Sequence, residues 1–157
     1  MAKNYWLLKT EPTTYSVDDL KREKTTRWDG IRNYQARNFL RDSMKKGDGV
    51  IIYHSSTGEP SAVGIGKVAS DAYPDLTQFD PTSKYFDPKA SKDRPRWFTH
   101  DITFVKKFAQ SVPLSVMKRA AKLKGMYLLG GGGGRLSVQP VSEIQFNEII
   151  RLALTHD

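Results

Sequence analysis

The sequence predicts an α+β domain, built as a small, strongly bent β-sheet or barrel with helices around it. Several short segments alternate apolar and polar residues in the period of two that is typical of strands, among them NYWLLKT, VIIYHS and WFTHDITFVKKF. The strand segment AVGIGKVAS carries glycines at alternate positions, which indicates tight bending or close backbone approach. Other segments repeat apolar residues at the spacing of a helix.

The first strand and the first helix follow each other directly. In NYWLLKT, alternation places Trp6 and Leu8 on one side and Tyr5, Leu7 and Lys9 on the other. YSVDDLKRE predicts a short helix with Ser16 as N-cap, since a serine oxygen can accept a hydrogen bond from a free backbone N–H there.

A second helix is predicted over Tyr34 to Met44. Its apolar stripe repeats at spacings of three and four and consists of Ala36, Phe39, Leu40 and Met44. KKGDG then turns into the strand VIIYHS. Residues 71–96 are rich in proline and aspartate and predict a long loop, whose aromatics Tyr73, Phe79, Tyr85 and Phe86 favour packing onto the domain.

The C-terminal part predicts two more helices. VPLSVMKRAAKLK has Pro113 placed for a first helical turn. RLSVQPVSEIQFNEIIRLAL predicts an extended piece closed by Pro140 and then a helix, with Ser142 and Gln145 at capping-box spacing. The predicted apolar face of that helix is Ile144, Phe146, Ile149, Ile150 and Leu152.

Length and composition bound the class of protein. The 157 residues suit one domain, 1–157, and the absence of cysteine excludes disulfides and thiolate metal sites. His54, His100 and His156 show no metal-ligand spacing, so we expect no metal and no cofactor. The sequence lacks a signal-peptide pattern and a membrane-spanning apolar run. We therefore expect a cytoplasmic protein, or a nuclear one if the source is eukaryotic, with no membrane partner.

The net charge of +8 is unevenly distributed. Between Ile102 and Arg135 there is no carboxylate, and a second acid-free stretch holds Arg32, Arg37 and Arg41. Unbalanced positive charge attracts polyanions through counterion release at phosphates. The pattern favours a nucleic-acid partner, and a solvated basic face is the alternative.

No catalytic signature emerges from the motifs. His54 and Ser55 are neighbours on a predicted strand and therefore point to opposite faces, so adjacency cannot make them a nucleophile–base pair. The glycines 130–134 lack the Gly-Lys-Ser/Thr and the following helix of a phosphate loop. A surface turn is the simpler interpretation of that run.

The segment WDGIRNYQARNFLR, residues 28–41, combines aromatics, amides and arginines around a tight Asp-Gly turn. Asn33 could cap the second helix, which would leave Tyr34, Arg37 and Arg41 on its side away from the core. Guanidinium groups suit phosphates, and aromatic faces suit an unstacked base. The alternative is that Trp28 and Tyr34 cover the core while Arg37 faces solvent.

Six motifs occur in order along nearly the whole chain: YWLLKTEP, WDGIRNYQARNFLR, GDGVIIYHSS, AYPD, PRWF and RLSVQPVS. Together they resemble the EVE domain family. The resemblance implies a PUA-like fold, a small bent β-barrel with flanking α-helices, related to the YTH domains that read methylated adenine in RNA. It also implies a non-catalytic reader that holds a modified base of DNA or RNA, flipped or single-stranded, in an aromatic pocket.

The resemblance also assigns site residues. The residues it places around the base pocket are Lys9, Glu11, Pro12, Trp28, Asn33, Tyr34, Tyr53, His54, Ser55, Trp97, Leu136, Ser137 and Val138. Those predicted to contact phosphate are Arg32, Arg37, Arg41 and Arg135. The chain departs from the family pattern before RLSVQP, where five glycines replace an expected polar run.

Two functional classes remain open at this point. The favoured one is the reader of a modified base, in DNA or RNA, with no catalysis. The alternative is an enzyme that acts on a nucleoside or on RNA, with Lys9, Glu11 and His54 as its polar groups. A reader needs aromatic walls and hydrogen-bond partners, whereas an enzyme needs a positioned acid or base.

Overall fold

A computed structural model describes residues 3–130 and 136–155 of the chain, the latter with side chains through Leu154. One six-stranded mixed sheet organises the molecule, in the order β2-β7-β4-β3-β1-β8. The strands are β1 Tyr5–Thr10, β2 Thr25–Arg27, β3 Gly49–His54, β4 Ser61–Val68, β5 Tyr73–Pro74, β6 Phe98–Thr99, β7 Asp101–Pro113 and β8 Val138–Val141. The helices are α1 Val17–Glu23, α2 Tyr34–Asn38, α3 Leu114–Arg119 and α4 Glu143–Thr155.

The predicted fold is confirmed as a curled sheet that forms a half-barrel with a few flanking helices. β1 pairs with β3 in parallel, and the other pairings are antiparallel. The register shifts twice where β4 meets β7, which bends the sheet. A Cβ at Gly64 would lie 2.6 Å from the Lys106 carbonyl oxygen, so the glycine allows the close backbone approach that the sequence indicated.

The sheet separates two clusters of buried side chains, because neighbouring residues of a strand face opposite sides. Leu7 and its side of the sheet pack against Phe146 and Ile149 of α4. Trp6 and Leu8 face the other way, where Leu20 of α1 and Leu40 complete the cluster. The alternation predicted for the first strand is therefore confirmed.

The helix caps follow the sequence closely. Ser16 and Asp19 form a reciprocal capping box at α1, and Ser142 and Gln145 form one at α4. The helix predicted over Tyr34 to Met44 changes character halfway, because α2 passes into a π-helical turn over Phe39–Ser43. Ala36, Leu40 and Met44 are fully buried, as the stripe predicted, while Phe39 is half-buried.

One predicted core residue of α4 is wrong. Ile144 is 66% exposed, because it lies two residues before the buried Phe146, and two helical positions separate side chains by about 200°. The other members of the stripe do face the sheet, with Ile150 half-buried.

The long loop between β4 and β7 carries order of its own. It contains β5, a 3₁₀ turn over Leu76–Phe79 and, at its end, β6. The fully buried Gln78 fastens it, since its amide nitrogen donates to the Asp75 and Trp97 carbonyls while its oxygen accepts from the Arg96 and Trp97 N–H groups. The loop therefore packs onto the domain, as its aromatic residues predicted.

Candidate nucleic-acid interface

An open cleft of about 930 Å³ lies where the end of β1, the start of α1, β2 and the long loop meet. We call it the Trp28 cleft. Its lining is aromatic, charged and hydroxyl-bearing: Lys9, Thr10, Glu11, Thr14, Tyr15, Glu23, Thr25, Thr26, Arg27, Trp28, Asp29, Gly30, Ile31, Lys84, Tyr85 and Ser137. The volume lies in the range of small-ligand sites.

Three aromatic side chains form the walls of the Trp28 cleft. The Tyr15 ring meets Trp28 edge-to-face with 6.1 Å between centroids, and its hydroxyl donates to Glu23 at 2.7 Å. Burial and the hydrogen bond to Glu23 raise the pKa of Tyr15 to about 12, so it stays a neutral donor. Tyr85 supplies the third wall from the long loop.

Gly30 fixes how close the Tyr85 wall can come. A Cβ at this position would lie 2.7 Å from the Tyr85 ring, and the backbone φ of +86° is in the left-handed region. Both the space and the φ therefore call for glycine. Gly30 thus has the left-handed backbone expected of an Asp-Gly turn, but residues 28–33 do not form the hydrogen-bonded turn that was predicted.

Hydrogen bonds to its backbone groups hold the Trp28–Gly30 segment at both of its ends. The Trp28 N–H donates to the His100 carbonyl at 3.1 Å, and the Thr99 hydroxyl donates to the Trp28 carbonyl. The Gly30 N–H donates to the buried Asp75 carboxylate at 2.7 Å. The cleft wall is thus fastened to β6, to His100 directly after it and to the long loop.

Asp75 is the acceptor that joins the Trp28–Gly30 segment to the long loop. Besides Gly30, it receives hydrogen bonds from the Thr77 backbone at 2.9 Å and from Arg32 at 3.1 Å. Burial on its own would raise the pKa of Asp75, but the hydrogen bonds from Thr77, Gly30 and Arg32 outweigh it and lower the pKa. Asp75 is therefore a charged structural anchor.

Both signs of charge face the Trp28 cleft. Its cations are Lys9, Arg27 and Lys84, and its carboxylates are Glu11, Glu23 and Asp29. Burial lowers the pKa of Lys9. Desolvation by the surrounding protein, with a further contribution from the Asp75 charge, raises the pKa of Asp29.

Beside the cleft, arginines and aromatic rings alternate in what we call the arginine–aromatic column: Arg37, Tyr34, Trp97, Arg32 and Tyr85. Tyr34 and Trp97 stack with centroids 4.9 Å apart, and Arg37 lies 4.8 Å from the Tyr34 ring. The Arg32 guanidinium lies 5.3 Å from Trp97 and 5.5 Å from Tyr85. Each contact is within the range of a cation–π interaction.

Most polar groups of the column already have protein partners. Arg32 donates to Asp75, Thr77 and the Tyr85 carbonyl, and Arg37 donates to the Arg96 carbonyl and to Asn38. Arg96 also hydrogen-bonds the Tyr34 hydroxyl. The column therefore binds α2 to the long loop.

Four of the predicted pocket residues line the Trp28 cleft: Lys9, Glu11, Trp28 and Ser137. The others lie outside its lining: Pro12, Asn33, Tyr34, Tyr53, His54, Ser55, Trp97, Leu136 and Val138. Tyr53, Leu136 and Val138 are buried in the two core clusters, and burial raises the pKa of Tyr53 to about 12. Asn33 caps α2 by accepting from the Ala36 N–H at 2.9 Å.

His54 is the last residue of β3. Its ring packs against the start of α1, where Nε2 accepts a hydrogen bond from the Val17 N–H at 3.0 Å. Burial lowers the pKa of His54, which favours the neutral ring that this bond requires. Ser55 donates its N–H to the Thr10 carbonyl at 3.0 Å. The Ser55 bond extends the β1–β3 pairing beyond the strands, and the His54 bond joins the end of β3 to α1.

The predicted phosphate contacts differ in their surroundings. Arg32 and Arg37 belong to the column, whereas Arg41 is exposed and pairs with Asp42 at 2.8 Å. Arg135 and the neighbouring glycines lie outside the described residues. In the described ranges, no group of three His, Cys, Asp or Glu side chains could hold a metal ion, and no helix is long and apolar enough to cross a membrane.

Sequence reasoning missed Tyr15, Asp29 and Tyr85 as cleft residues. Tyr15 immediately precedes the N-cap Ser16, a position whose side chain commonly folds back over a helix start. Asp29 looked like a turn residue alone, and Tyr85 is 55 positions from Gly30 in the sequence. Only the path of the long loop brings that ring to Gly30.

Comparisons with known proteins identify the relatives of this chain. The family model of the EVE domain matches residues 4–152. Thymocyte nuclear protein 1 of Mus musculus is 39% identical over 171 residues, which cover 97% of this chain and 74% of that protein. A solved structure of a hypothetical protein from Leishmania major superposes with a TM-score of 0.92 at 44% identity, covering 98% and 96% of the two chains.

A third relative has been solved with a ligand. The crystal structure of human THYN1 protein in complex with 5-methylcytosine containing DNA matches with a TM-score of 0.91 and 36% identity, covering 99% of this chain and 100% of that one. A YTH domain from Zygosaccharomyces rouxii, solved in complex with N6-methyladenosine RNA, matches with a TM-score of 0.54 and 12% identity. The likeness to the YTH domain supports the predicted PUA-like fold alone.

Proposed function

Because this chain belongs to the EVE domain family, we propose that it is a non-catalytic nucleic-acid-binding domain that holds a modified base in the Trp28 cleft. The observation that carries the proposal is the cleft itself, with Trp28, Tyr15 and Tyr85 as aromatic walls and Lys9, Arg27 and Lys84 beside them. Aromatic faces bind an unstacked base, and cations attract the backbone that carries it.

The relative solved with 5-methylcytosine DNA supports a modified base in DNA as the first ligand to test. Only 7% of Trp28 is exposed, so a base that stacks on it has to displace side chains that cover the ring, among them Tyr15, which contacts it edge-to-face. Tyr15 and Tyr85 are both half-buried, and both lie outside the helices and strands.

The enzymatic alternative has less support from the same geometry. Of its three predicted polar groups, Lys9 and Glu11 line the cleft but His54 does not. His54 already accepts a backbone hydrogen bond, and so it is not placed as a general base for a ligand in the cleft. The name of the mouse relative agrees with a nuclear location if the source is eukaryotic.

The test is an affinity panel at fixed salt. Oligonucleotides of one sequence, as DNA and as RNA, would carry cytosine, 5-methylcytosine, adenine or N6-methyladenine at one position, and binding would be followed by fluorescence anisotropy. We expect tighter binding of at least one modified base than of its unmodified counterpart. Equal affinity for every member of the panel, or no binding at all, would overturn the proposal.

A further inference from the structure

Asp29 is a cleft residue whose chemistry the proposed function does not use. It follows Trp28 directly in the Trp28–Gly30 segment, and its carboxylate is exposed in the Trp28 cleft. The peptide groups on both sides of it are hydrogen-bonded, to His100 and Thr99 through Trp28 and to Asp75 through Gly30. The backbone that carries its side chain in the cleft lined by Trp28 is therefore fixed by the fold, and only two side-chain torsions remain.

Several of the other acidic groups near this segment have protein partners; the exposed carboxylate of Glu11, which also lines the cleft, is the competing acceptor. Glu23 accepts from the Tyr15 hydroxyl, Asp101 accepts from the Tyr73 hydroxyl at 2.5 Å, and Asp75 is surrounded by donors. Among the described residues, no side chain of another residue donates a hydrogen bond to the Asp29 carboxylate. Partial desolvation and the nearby Asp75 charge raise the pKa of Asp29 more than the Arg27 and Arg32 charges lower it, so a hydrogen-bond donor from a ligand would stabilise the carboxylate.

Resting on the proposed function, we propose that the Asp29 carboxylate selects the class of base in the cleft by accepting a hydrogen bond from an exocyclic amine. Cytosine presents a donor at N4 and adenine one at N6, and both keep a donor after methylation at C5 or at N6 respectively. Thymine and uracil present the O4 acceptor at the equivalent edge. That oxygen would face the carboxylate, so the pocket excludes them.

The sharpest comparison is 5-methylcytosine against thymine, because the two bases share the C5 methyl group and differ at the amine edge. Single-stranded DNA of one sequence with either base at one position avoids the mispair that thymine would make in a duplex. We expect the wild-type protein to prefer 5-methylcytosine by at least about tenfold, the discrimination of one good base-edge contact. An amide can donate to O4 through its nitrogen, so Asp29→Asn should reduce that ratio to about unity.

The ratio of the 5-methylcytosine and thymine affinities removes the effect of the lost negative charge in Asp29→Asn. Removing one carboxylate should tighten binding of both oligonucleotides by a similar factor, since both carry the same phosphates. Asp93→Asn is the matched control, because Asp93 is exposed in the long loop and does not line the cleft. We expect the Asp93 variant to keep the wild-type ratio, and both variants to unfold at the wild-type temperature or above.

The outcomes separate this inference from the proposed function. A wild-type preference that Asp29→Asn leaves unchanged overturns the role of Asp29 while the base-reading function stands. A preference for thymine, or a ratio that collapses in Glu11→Gln and not in Asp29→Asn, also overturns it. If the wild-type protein binds no oligonucleotide, whether cytosine, thymine or adenine or their methylated forms occupy the variable position, the proposed function itself fails.

Discussion

The Trp28 cleft and the arginine–aromatic column are built from the same sequence segment but have opposite character. Trp28 and Asp29 face a cleft in which a carboxylate and several hydroxyls are exposed to a ligand. Arg32 and Tyr34, four and six residues after Trp28, belong to a stack whose hydrogen-bonding groups already have partners in the protein. Aromatic and arginine residues of one motif thus line an open cleft at one end and form a hydrogen-bonded stack at the other; under the proposed function, the first serves recognition and the second rigidity.

Tyr85 belongs to both regions and connects them. Its ring closes the cleft over Gly30, while its carbonyl accepts from Arg32 of the column at 2.8 Å. The column thereby positions a cleft wall that comes from a distant part of the chain. If the two regions have these separate roles, substitutions in the column should act on stability and those in the cleft on binding.

The largest effect is expected at Asp75, which anchors both regions. Asp75→Ala should lower the free energy of unfolding by about 3–5 kcal/mol, because it leaves Arg32 and two backbone N–H groups without their buried acceptor. Urea denaturation followed by tryptophan fluorescence would measure it. Asp42→Asn, in the exposed pair with Arg41, should leave the midpoint unchanged.

The pH dependence of the Asp75 contribution has a definite sign. The folded protein lowers the pKa of Asp75, so its stabilisation is present above the ordinary carboxyl pKa and is lost as the pH falls through the lowered value. The difference in stability between wild type and Asp75→Ala should therefore shrink on the acid side of the ordinary pKa. A difference that grows with acidity would contradict the anchor role.

The second prediction sets Trp28 against Trp97, one tryptophan from each region. Trp28→Ala should cost about 1–3 kcal/mol of oligonucleotide binding if a base stacks on it, besides about 3–5 kcal/mol of stability, since the ring is almost fully buried. Trp97→Phe keeps a ring in the stack but loses the hydrogen bond from its indole nitrogen to Asp87. It should lower stability by about 1 kcal/mol and leave affinity unaltered.

Both affinities have to be measured well below each variant's unfolding temperature. If Trp97→Phe weakens binding as much as Trp28→Ala does, the column takes part in recognition and the division between the two regions is wrong.

How far the sequence predicted the molecule depends on the range of the interactions. The strands β1, β3, β4 and β7, the caps at Ser16, Asn33 and Ser142, and the need for glycine in β4 follow from neighbouring residues and were predicted, whereas the short strands β2 and β5 were not. The cleft depends on Tyr85 reaching Gly30 and on Asp75 binding Gly30 and Arg32, contacts that span more than 40 positions. No local pattern shows them. Arginines near aromatics therefore suggested phosphate contacts, although Arg32 is held by Asp75.

A substitution at Gly30 tests whether the position of the Tyr85 ring matters for binding. Gly30→Ala should lower stability by about 1–3 kcal/mol through its positive φ, and the new Cβ should push the Tyr85 ring outward. We expect weaker binding of the preferred oligonucleotide as the wall moves. Gly47→Ala is the control, because Gly47 also has a positive φ of 97° but a Cβ there meets nothing within 4 Å. Equal losses of affinity in both variants would remove Tyr85 from the site.

The fourth prediction concerns Asn33, which the structure places at the N-terminus of α2 and outside the cleft. Asn33→Ala should lower stability by about 1 kcal/mol, because the Ala36 N–H loses its acceptor. Asn33→Asp retains an accepting oxygen and should retain the stability. Neither variant should change the ratio between modified and unmodified affinities, measured on the same panel. A changed ratio at unchanged stability would return Asn33 to the pocket.

The smallest effect is a difference between Arg41 and Arg32 in how oligonucleotide binding depends on salt. Arg41 is exposed, and its partner Asp42 is exposed as well, so a phosphate can replace that carboxylate at little cost. Arg41→Ala should therefore reduce the slope of log affinity against log salt by about 0.7 on a single strand, one phosphate contact, with no loss of stability. Arg32→Ala should instead destabilise the fold, because it breaks the buried bond to Asp75, and should leave the slope per folded molecule unchanged. A slope that responds to Arg32 and not to Arg41 would mean that the column opens to meet the phosphates, and the rigid part of the site would then have to be sought in the cleft.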